Sequence, residues 1–193
     1  MITEHHFPTL VYIKDIPNAV ELNRYLESHI LKWSQQDKGE QKTNAGGWHS
    51  KTDMDKKEEY NLLTKELFNM QDEIYKKEHL SLKPVLGNMW ANINYPKCFN
   101  RPHIHPNSLF SGVYFIKTPQ KSGNLMVYDP RPGVQMAMPS RKKEQLQSEL
   151  WREVHYEPVA GRCIMFPSWL WHEVKPNESN DIRISVSFNF LQR

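Results

Sequence analysis

Apolar residues recur along this chain in two different rhythms. In the first part the rhythm is helical: after Pro17-Asn18, the residues Leu22, Tyr25, Leu26, Ile30 and Trp33 fall on one side of a helix. Tyr60, Leu63, Leu67, Met70 and Ile74 do the same within a second helix over about Glu58 to Lys77, with Lys and Glu filling the opposite face. Phe7 to Ile13 reads as a short strand ahead of both. Ser34 to Asp55 keeps no rhythm, and with Gly46-Gly47 at its centre it predicts a loop without regular structure. Trp48 is the one large apolar residue there, and it either pins the loop to the core or walls a pocket.

From about Val85 the rhythm shortens to alternation broken by Pro and Gly, the pattern of an all-β sandwich or barrel. The predicted strands are Val85 to Tyr95, Leu109 to Lys117, Asn124 to Tyr128, Val154 to Pro158, Arg162 to Phe166, Trp171 to Lys175 and Ile182 to Phe190. Helices first and strands after predict a mainly β protein, a jelly roll with N-terminal helices packed outside the barrel. With 193 residues and 38% hydrophobic content, one domain is expected over the whole length, residues 1–84 forming the helical part and 85–193 the jelly-roll core.

Charge changes this picture little. The net charge of +3 is scattered and forms no concentrated basic run, so nucleic acid is not favoured as a partner. No stretch is apolar for long enough to cross a membrane. The first residues lack a basic start followed by an apolar run, and two cysteines, Cys98 and Cys163, are too few for a disulfide framework, so a cytoplasmic location is expected.

Candidate chemistry begins with His103 and His105. Residues at i and i+2 of a strand face the same way, roughly 6.5 to 7 Å apart, so the two imidazoles point together, and Pro102 and Pro106 stiffen the chain on both sides. His172, on another predicted strand, is the natural third ligand for one metal ion. In the last strand one face is wholly apolar and the other reads Arg183, Ser185, Ser187, Asn189. That face either meets water or turns into the barrel, where Arg183 becomes a buried cation in need of an anion, with Ser185 adding a hydroxyl. Asn88, Trp90, Asn92 and Asn94 likewise share one face of the first barrel strand, where amides are unusual unless they bond a polar ligand. Tyr114 could offer a phenol to that same ligand.

These residues also resemble a family. Trp90-x-Asn92-x-Asn94, Asn100-Arg101-Pro102-His103-x-His105-Pro106, Ser111-Gly112-Val113-Tyr114, Ser122-Gly123, Asp129-Pro130-Arg131 and Phe166-Pro167-Ser168-Trp169-Leu170-x-His172 with Arg183-Ile184-Ser185 resemble the 2-oxoglutarate and iron(II)-dependent oxygenases of marine bacteria and their phages. The likeness runs from about Val85 to Phe190; before it, only the Gly47-Trp48 loop is familiar. It implies a double-stranded β-helix of cupin-like form, with Fe(II), 2-oxoglutarate and O2 as cofactor and cosubstrates, and His103, His105 and His172 as catalytic metal ligands. Arg183, Ser185, Asn92, Asn94 and Tyr114 are the expected 2-oxoglutarate contacts. The step of 11 from His172 to Arg183 fits the superfamily, and Asn92 stands 11 before His103, as an asparagine does in the nucleic-acid demethylase branch.

One departure stands out: His105 occupies the usual carboxylate position, which leaves the charge of a divalent ion to be neutralised by the cosubstrate dianion. Asp129 could be a fourth ligand, a substrate contact or a turn residue, the turn being first choice; Glu173 should point away from the metal. Trp90, Trp171 and Met89 are expected as apolar walls, and Asp129 and Arg131 as neighbours of the substrate. The implied reaction hydroxylates an unidentified small molecule or side chain and releases succinate and CO2. The alternatives are a cupin-type three-histidine enzyme that does not use 2-oxoglutarate, and a non-catalytic metal-binding barrel. Oligomeric state is open, a homodimer included.

Overall fold

The computed structural model describes residues 1–81, 84–131, 133, 136, 140, 142, 148 and 151–192. Residues 82 and 83, at the end of the expected helical part, lie outside the described residues. Among the described residues, eleven strands form two antiparallel sheets. They are β1 (Tyr12–Asp15), β2 (Asn44–Ala45), β3 (Trp48–His49), β4 (Pro84–Asn94), β5 (Phe99–His103), β6 (Phe110–Lys117), β7 (Leu125–Tyr128), β8 (Glu153–Tyr156), β9 (Arg162–Pro167), β10 (His172–Val174) and β11 (Arg183–Gln192). The larger sheet has the order β1-β9-β6-β11-β4-β3 and the smaller β2-β5-β10-β7-β8. This is the expected double-stranded β-helix with two helices, α1 (Ala19–Gln36) and α2 (Asn61–Lys77), laid outside it.

The helices form where the apolar stripe predicts. Leu26 and Ile30 of α1 and Leu63, Leu67, Met70 and Ile74 of α2 are buried, and two lysines in the last turn of α2 suit the negative end of its dipole. They pack with Met89, Ala91 and Ile93 of β4 and Ile184, Val186, Phe188 and Phe190 of β11 in the larger core. A second core lies between the sheets and gathers Val113, Phe115, Leu125, Val127, Ile164, Phe166 and Leu170. The two faces of β4, β6 and β11 therefore serve different purposes: one rests on the helices, the other looks into the barrel.

Beside β5 (Phe99–His103), which the alternation did not predict, three elements differ from expectation. The first strand is Tyr12–Asp15, set by pairing with β9, and the second helix begins at Asn61 after short 3-10 turns at Met54–Lys56 and Glu58–Tyr60. The loop between the helices holds β2 and β3, one pairing with β5 and the other with β4, so residues 44–49 bridge the two sheets at one edge. Two-residue strands are created by the edges they pair with and carry no period of their own. Trp48 pins this bridge: it is buried, donates its indole N–H to the Asp37 carbonyl at 2.8 Å and meets Trp33 edge to face.

The face of β6 corrects two readings. Tyr114 is fully buried on the helix side, where its hydroxyl donates to Asn23 Oδ1 of α1 at 2.6 Å. It is turned away from the barrel interior and so cannot contact a ligand there. Met89 is likewise a core residue and no cavity wall, because β4 turns Trp90, its neighbour, inward. Replacing Tyr114 by Phe strands Asn23 Oδ1 without a donor, and stability should drop by about 1–3 kcal/mol. Chemical denaturation measures that drop, and affinity for 2-oxoglutarate should stay unchanged in the same variant.

Candidate metal centre

The register of β5 against β10 sets His103 directly opposite His172, and the chain beyond β5 brings in His105. The nitrogen ligand atoms of the three all lie within 4.8 Å of one another, close enough for one ion to hold them together. Among the described residues this trio is the one group of three His, Cys, Asp or Glu side chains arranged so. His103 Nδ1 bonds the Arg101 carbonyl at 2.6 Å, and His172 Nδ1 bonds the Leu170 carbonyl at 2.8 Å. A carbonyl only accepts, so both Nδ1 atoms carry the proton and both Nε2 lone pairs are left for an ion. Burial disfavours the charged rings: His103 is lowered, His105 is pushed down to about 4 by burial and by His103, and His172 to about 3 by burial and its two neighbours. The trio is thus neutral and ready to ligate at neutral pH.

The same narrow cavity is lined by Trp90, Asn92, Arg183, Ser185 and Ser187. Arg183 is 1% exposed. Its Nη1 donates to the carbonyls of Ser122 at 2.5 Å and Gly123 at 2.9 Å, while Nη2 has no partner among the described residues. Burial pushes the guanidinium down to about 10, still charged at neutral pH, and no described acidic side chain pairs with it. Gly123, at φ +91°, makes this approach feasible, since a Cβ there would sit 2.9 Å from Arg183 Nη1 and 2.1 Å from the Lys175 carbonyl. Asn92 Oδ1, Asn94 Oδ1 and Ser122 Oγ are also buried without a partner among the described residues. Asn92 faces Ser185 across β4 and β11 and donates to Ser187 Oγ at 3.1 Å. Asn94 does not line the cavity; its amide is spent on Asn100 Oδ1 at 3.3 Å.

The other expected site residues fall elsewhere. Asp129 and Arg131 line a second cavity, of about 460 Å³, with Tyr128, Trp151, Tyr156 and Leu170. There the Asp129 carboxylate takes the Arg131 guanidinium at 2.9 and 2.7 Å and the Arg131 backbone N–H at 3.0 Å, the turn arrangement, which leaves it unavailable as a fourth ligand. Trp171 is half-exposed and lines neither cavity. Glu173 points to the far side of β10, where it accepts from Tyr128 Oη and Lys175 Nζ, both at 2.6 Å. Two wall residues escaped the sequence reading: Thr43, from the bridging loop, and Asn100, from β5. Thr43 carries no motif and is brought in beside β5, where its carbonyl accepts the Arg101 N–H; Asn100 stands in the quoted His103 motif, but its place on the wall comes from the pairing of β5 with β2 and β10.

A cupin-like double-stranded β-helix with a histidine trio and a buried arginine in one cavity is the architecture of non-haem metal oxygenases. The comparisons agree. A family model described as "Putative 2OG-Fe(II) oxygenase" matches residues 88–189. This chain belongs to that 2OG-Fe(II) oxygenase family. No curated protein sequence matches it. Among solved structures it is similar in fold to a Pseudomonas putida prolyl-4-hydroxylase, with TM-score 0.69 at 19% identity over 96% of this chain and 94% of that one. It also resembles the Trichoplax adhaerens prolyl hydroxylase solved with a hypoxia-inducible-factor peptide, with TM-score 0.69 at 13% identity over 94% and 83% of the two chains. A third likeness is to the α-ketoglutarate-dependent epimerase SnoN of nogalamycin biosynthesis, with TM-score 0.68 at 11% identity over 95% and 78%.

The lowered histidines have a consequence for the metal-free protein. Their folded pKa values lie below the roughly 6.5 of an unfolded histidine, so on acidification the unfolded chain takes up protons that the folded chain refuses. Their contribution to stability is complete above about pH 6.5 and declines as pH falls toward about 4. Melting temperatures of metal-stripped protein should decline over that window, and His105→Gln should flatten part of the decline. Parallel pH profiles for the two proteins would show that His105 is not buried as a neutral ring.

Proposed function

We propose that this chain is an iron(II) and 2-oxoglutarate-dependent oxygenase of the hydroxylase type. The observation that carries the reading is Arg183: a fully buried guanidinium with an unpartnered Nη2, in the cavity that also holds the three histidines. Burying a cation without an anion is strongly unfavourable, so the site asks for a negatively charged ligand. A dicarboxylate satisfies Arg183 at one end and reaches the metal ligands at the other. Bound iron(II) with 2-oxoglutarate and O2 supplies oxidative decarboxylation, releasing succinate and CO2 and delivering a hydroxyl to a substrate carbon.

The protein's own contribution is to bind, orient and shield. His103 and His172 present Nε2 and His105 completes the set. Arg183 takes the far carboxylate by a charge-assisted contact, with Ser185 and Asn92 as hydrogen-bonding neighbours. Phe166, Val113 and Phe115 keep the inner wall apolar. The hydroxylase assignment is supported by the prolyl hydroxylases among the structural neighbours. Two residues that line the larger cavity stand next to the centre: Val127, the partner of His172 in the β7–β10 ladder, and Leu170, whose carbonyl holds His172. It is of a size to accept the primary substrate, a small molecule or a side chain. A cytoplasmic location belongs to the same reading, supported by two free cysteines; among the described residues no helix is long and apolar enough to cross a membrane.

Two measurements test this. Alanine at His103, His105 or His172 should abolish stoichiometric metal binding in elemental analysis while the fold survives; full metal content in the His105 variant would remove that residue from the ligand set. Arg183→Leu should weaken 2-oxoglutarate binding to the manganese-loaded protein by about 2 to 4 kcal/mol, or about 30- to 900-fold, with metal affinity unchanged. Equal 2-oxoglutarate affinities by calorimetry would favour a three-histidine enzyme that does not use this cosubstrate.

A further inference from the structure

Two of the three candidate ligands are oriented by carbonyls, but among the described residues no hydrogen bond reaches the His105 ring. Its backbone lies past the end of β5, anchored by its N–H to the Ser168 carbonyl at 3.0 Å. Its ring neighbours are His103 at 4.9 Å between centroids, His172 at 5.1 Å and Trp90 at 5.7 Å. The first two are themselves candidate ligands, so among these rings Trp90 is the one that positions His105 from outside the trio. Trp90 is in turn held by His49, which stacks on it nearly parallel, at 5.5 Å and 14°. The His49 ring cannot readily turn, being 4% exposed, with Nδ1 donating to the Ser50 carbonyl at 2.6 Å. Its strand β3 lies against β4 because residue 47 is glycine: φ is +72°, and a Cβ there would come within 2.5 Å of the Ile93 carbonyl.

We propose that His49 is a positioning residue for the metal centre, clamping Trp90 so that Trp90 holds the His105 ring in its ligating orientation. The proposal rests on the reading of the three histidines as metal ligands. His49 lies outside the residues 88–189 that the family model covers, so this support comes from the bridging segment of the N-terminal part.

Cobalt(II) is a suitable probe, because its visible absorption reports ligand number and geometry independently of turnover. The full chain and its variants are titrated with cobalt chloride. His49→Phe keeps a flat ring against Trp90 and loses the N–H to Ser50, whereas His49→Asn keeps an N–H near the place of Nδ1 and loses the ring. The Phe variant should bind within about 2-fold of the parent with the same spectrum. The Asn and Ala variants should bind about 10-fold more weakly with a shifted band, the lower end of what loss of an outer-shell partner costs. The reverse order would mean that His49 only anchors β3, and the proposal would fall, as it would if all four proteins bound alike. A cycle of His49→Ala and Trp90→Leu guards against a Phe variant that does not fold: acting through Trp90 requires the double variant to bind no worse than Trp90→Leu alone, and additive losses contradict it. Leu26→Ala, in the core beneath α1, is the control for general destabilisation; it should lower the melting temperature without shifting the cobalt band, and a similar shift there would also overturn the proposal. If the parent itself binds no cobalt, the metal-site reading is what fails, and His49 goes with it.

Discussion

The ladder between β11 and β4 divides this protein into a dry half and a polar half. Ile184, Val186, Phe188 and Phe190 are each 0% exposed on the helix side, while Arg183, Ser185, Ser187 and Asn189 alternate with them toward the barrel. A slip of one residue in this register would drive four polar side chains into the helix-facing core and send the large apolar ones into the cavity. The apolar core therefore does more than stabilise the fold. By penalising every other register, it fixes the direction of Arg183 and the residues beside it. The helices serve the site in this sense, since without α1 and α2 the outer face of the larger sheet would have nothing to make one register better than the next.

What the register places inside is incomplete as protein alone. Asn92, Asn94, Ser122 and Arg183 each keep a buried polar atom without a partner, and such atoms are rare in folded chains because each forfeits its bonds to water. Two of them, on Asn92 and Arg183, line the cavity, which distinguishes it from an ordinary polar interior such as that made by Ser111, Ser168, Asn88 and Asn189. There, Ser168 donates to Ser111, Ser111 to Asn189 Oδ1 and Asn189 Nδ2 to Asn88, and the layer is closed. One barrel thus holds a satisfied polar layer and an unsatisfied one, and the unsatisfied layer is where binding energy is available.

Legibility in the sequence followed alternation. β11 and β4 were readable almost to the residue because their faces differ in polarity, and that contrast also marked Arg183, Ser185 and Asn92. Tyr114 was misplaced for the opposite reason. β6 is buried on both faces, so Val113, Tyr114, Phe115 and Ile116 offer no contrast by which to tell inside from outside. β2, β3 and β5 were illegible as strands because they are short or polar, and what makes them strands is the edge they join. Trp48 could be seen as an anchor, but the role of its neighbour His49 depends on which way a two-residue strand faces. His103 and His172 were visible as a pair of distant histidines, yet it is the β5–β10 register that sets one opposite the other.

The histidine at position 105 ties these points together through charge. A carboxylate there would offset part of the charge of a divalent ion, and it would also sit in the same closed cavity as Arg183, competing as an anion for the guanidinium. Three neutral imidazoles avoid that competition. With an ion held there as proposed, it and Arg183 would be two separated positive centres, with no described acidic side chain free to pair with either, since Asp129 is held by Arg131 and Glu173 by Tyr128 and Lys175. Such a field selects for charge and length together: a dianion with carboxylates at both ends can meet both centres, whereas a monoanion of the same size leaves one of them bare. On the proposed reading, the histidine in place of a carboxylate and the arginine without an anion would be complementary features, both answered by one dianionic ligand.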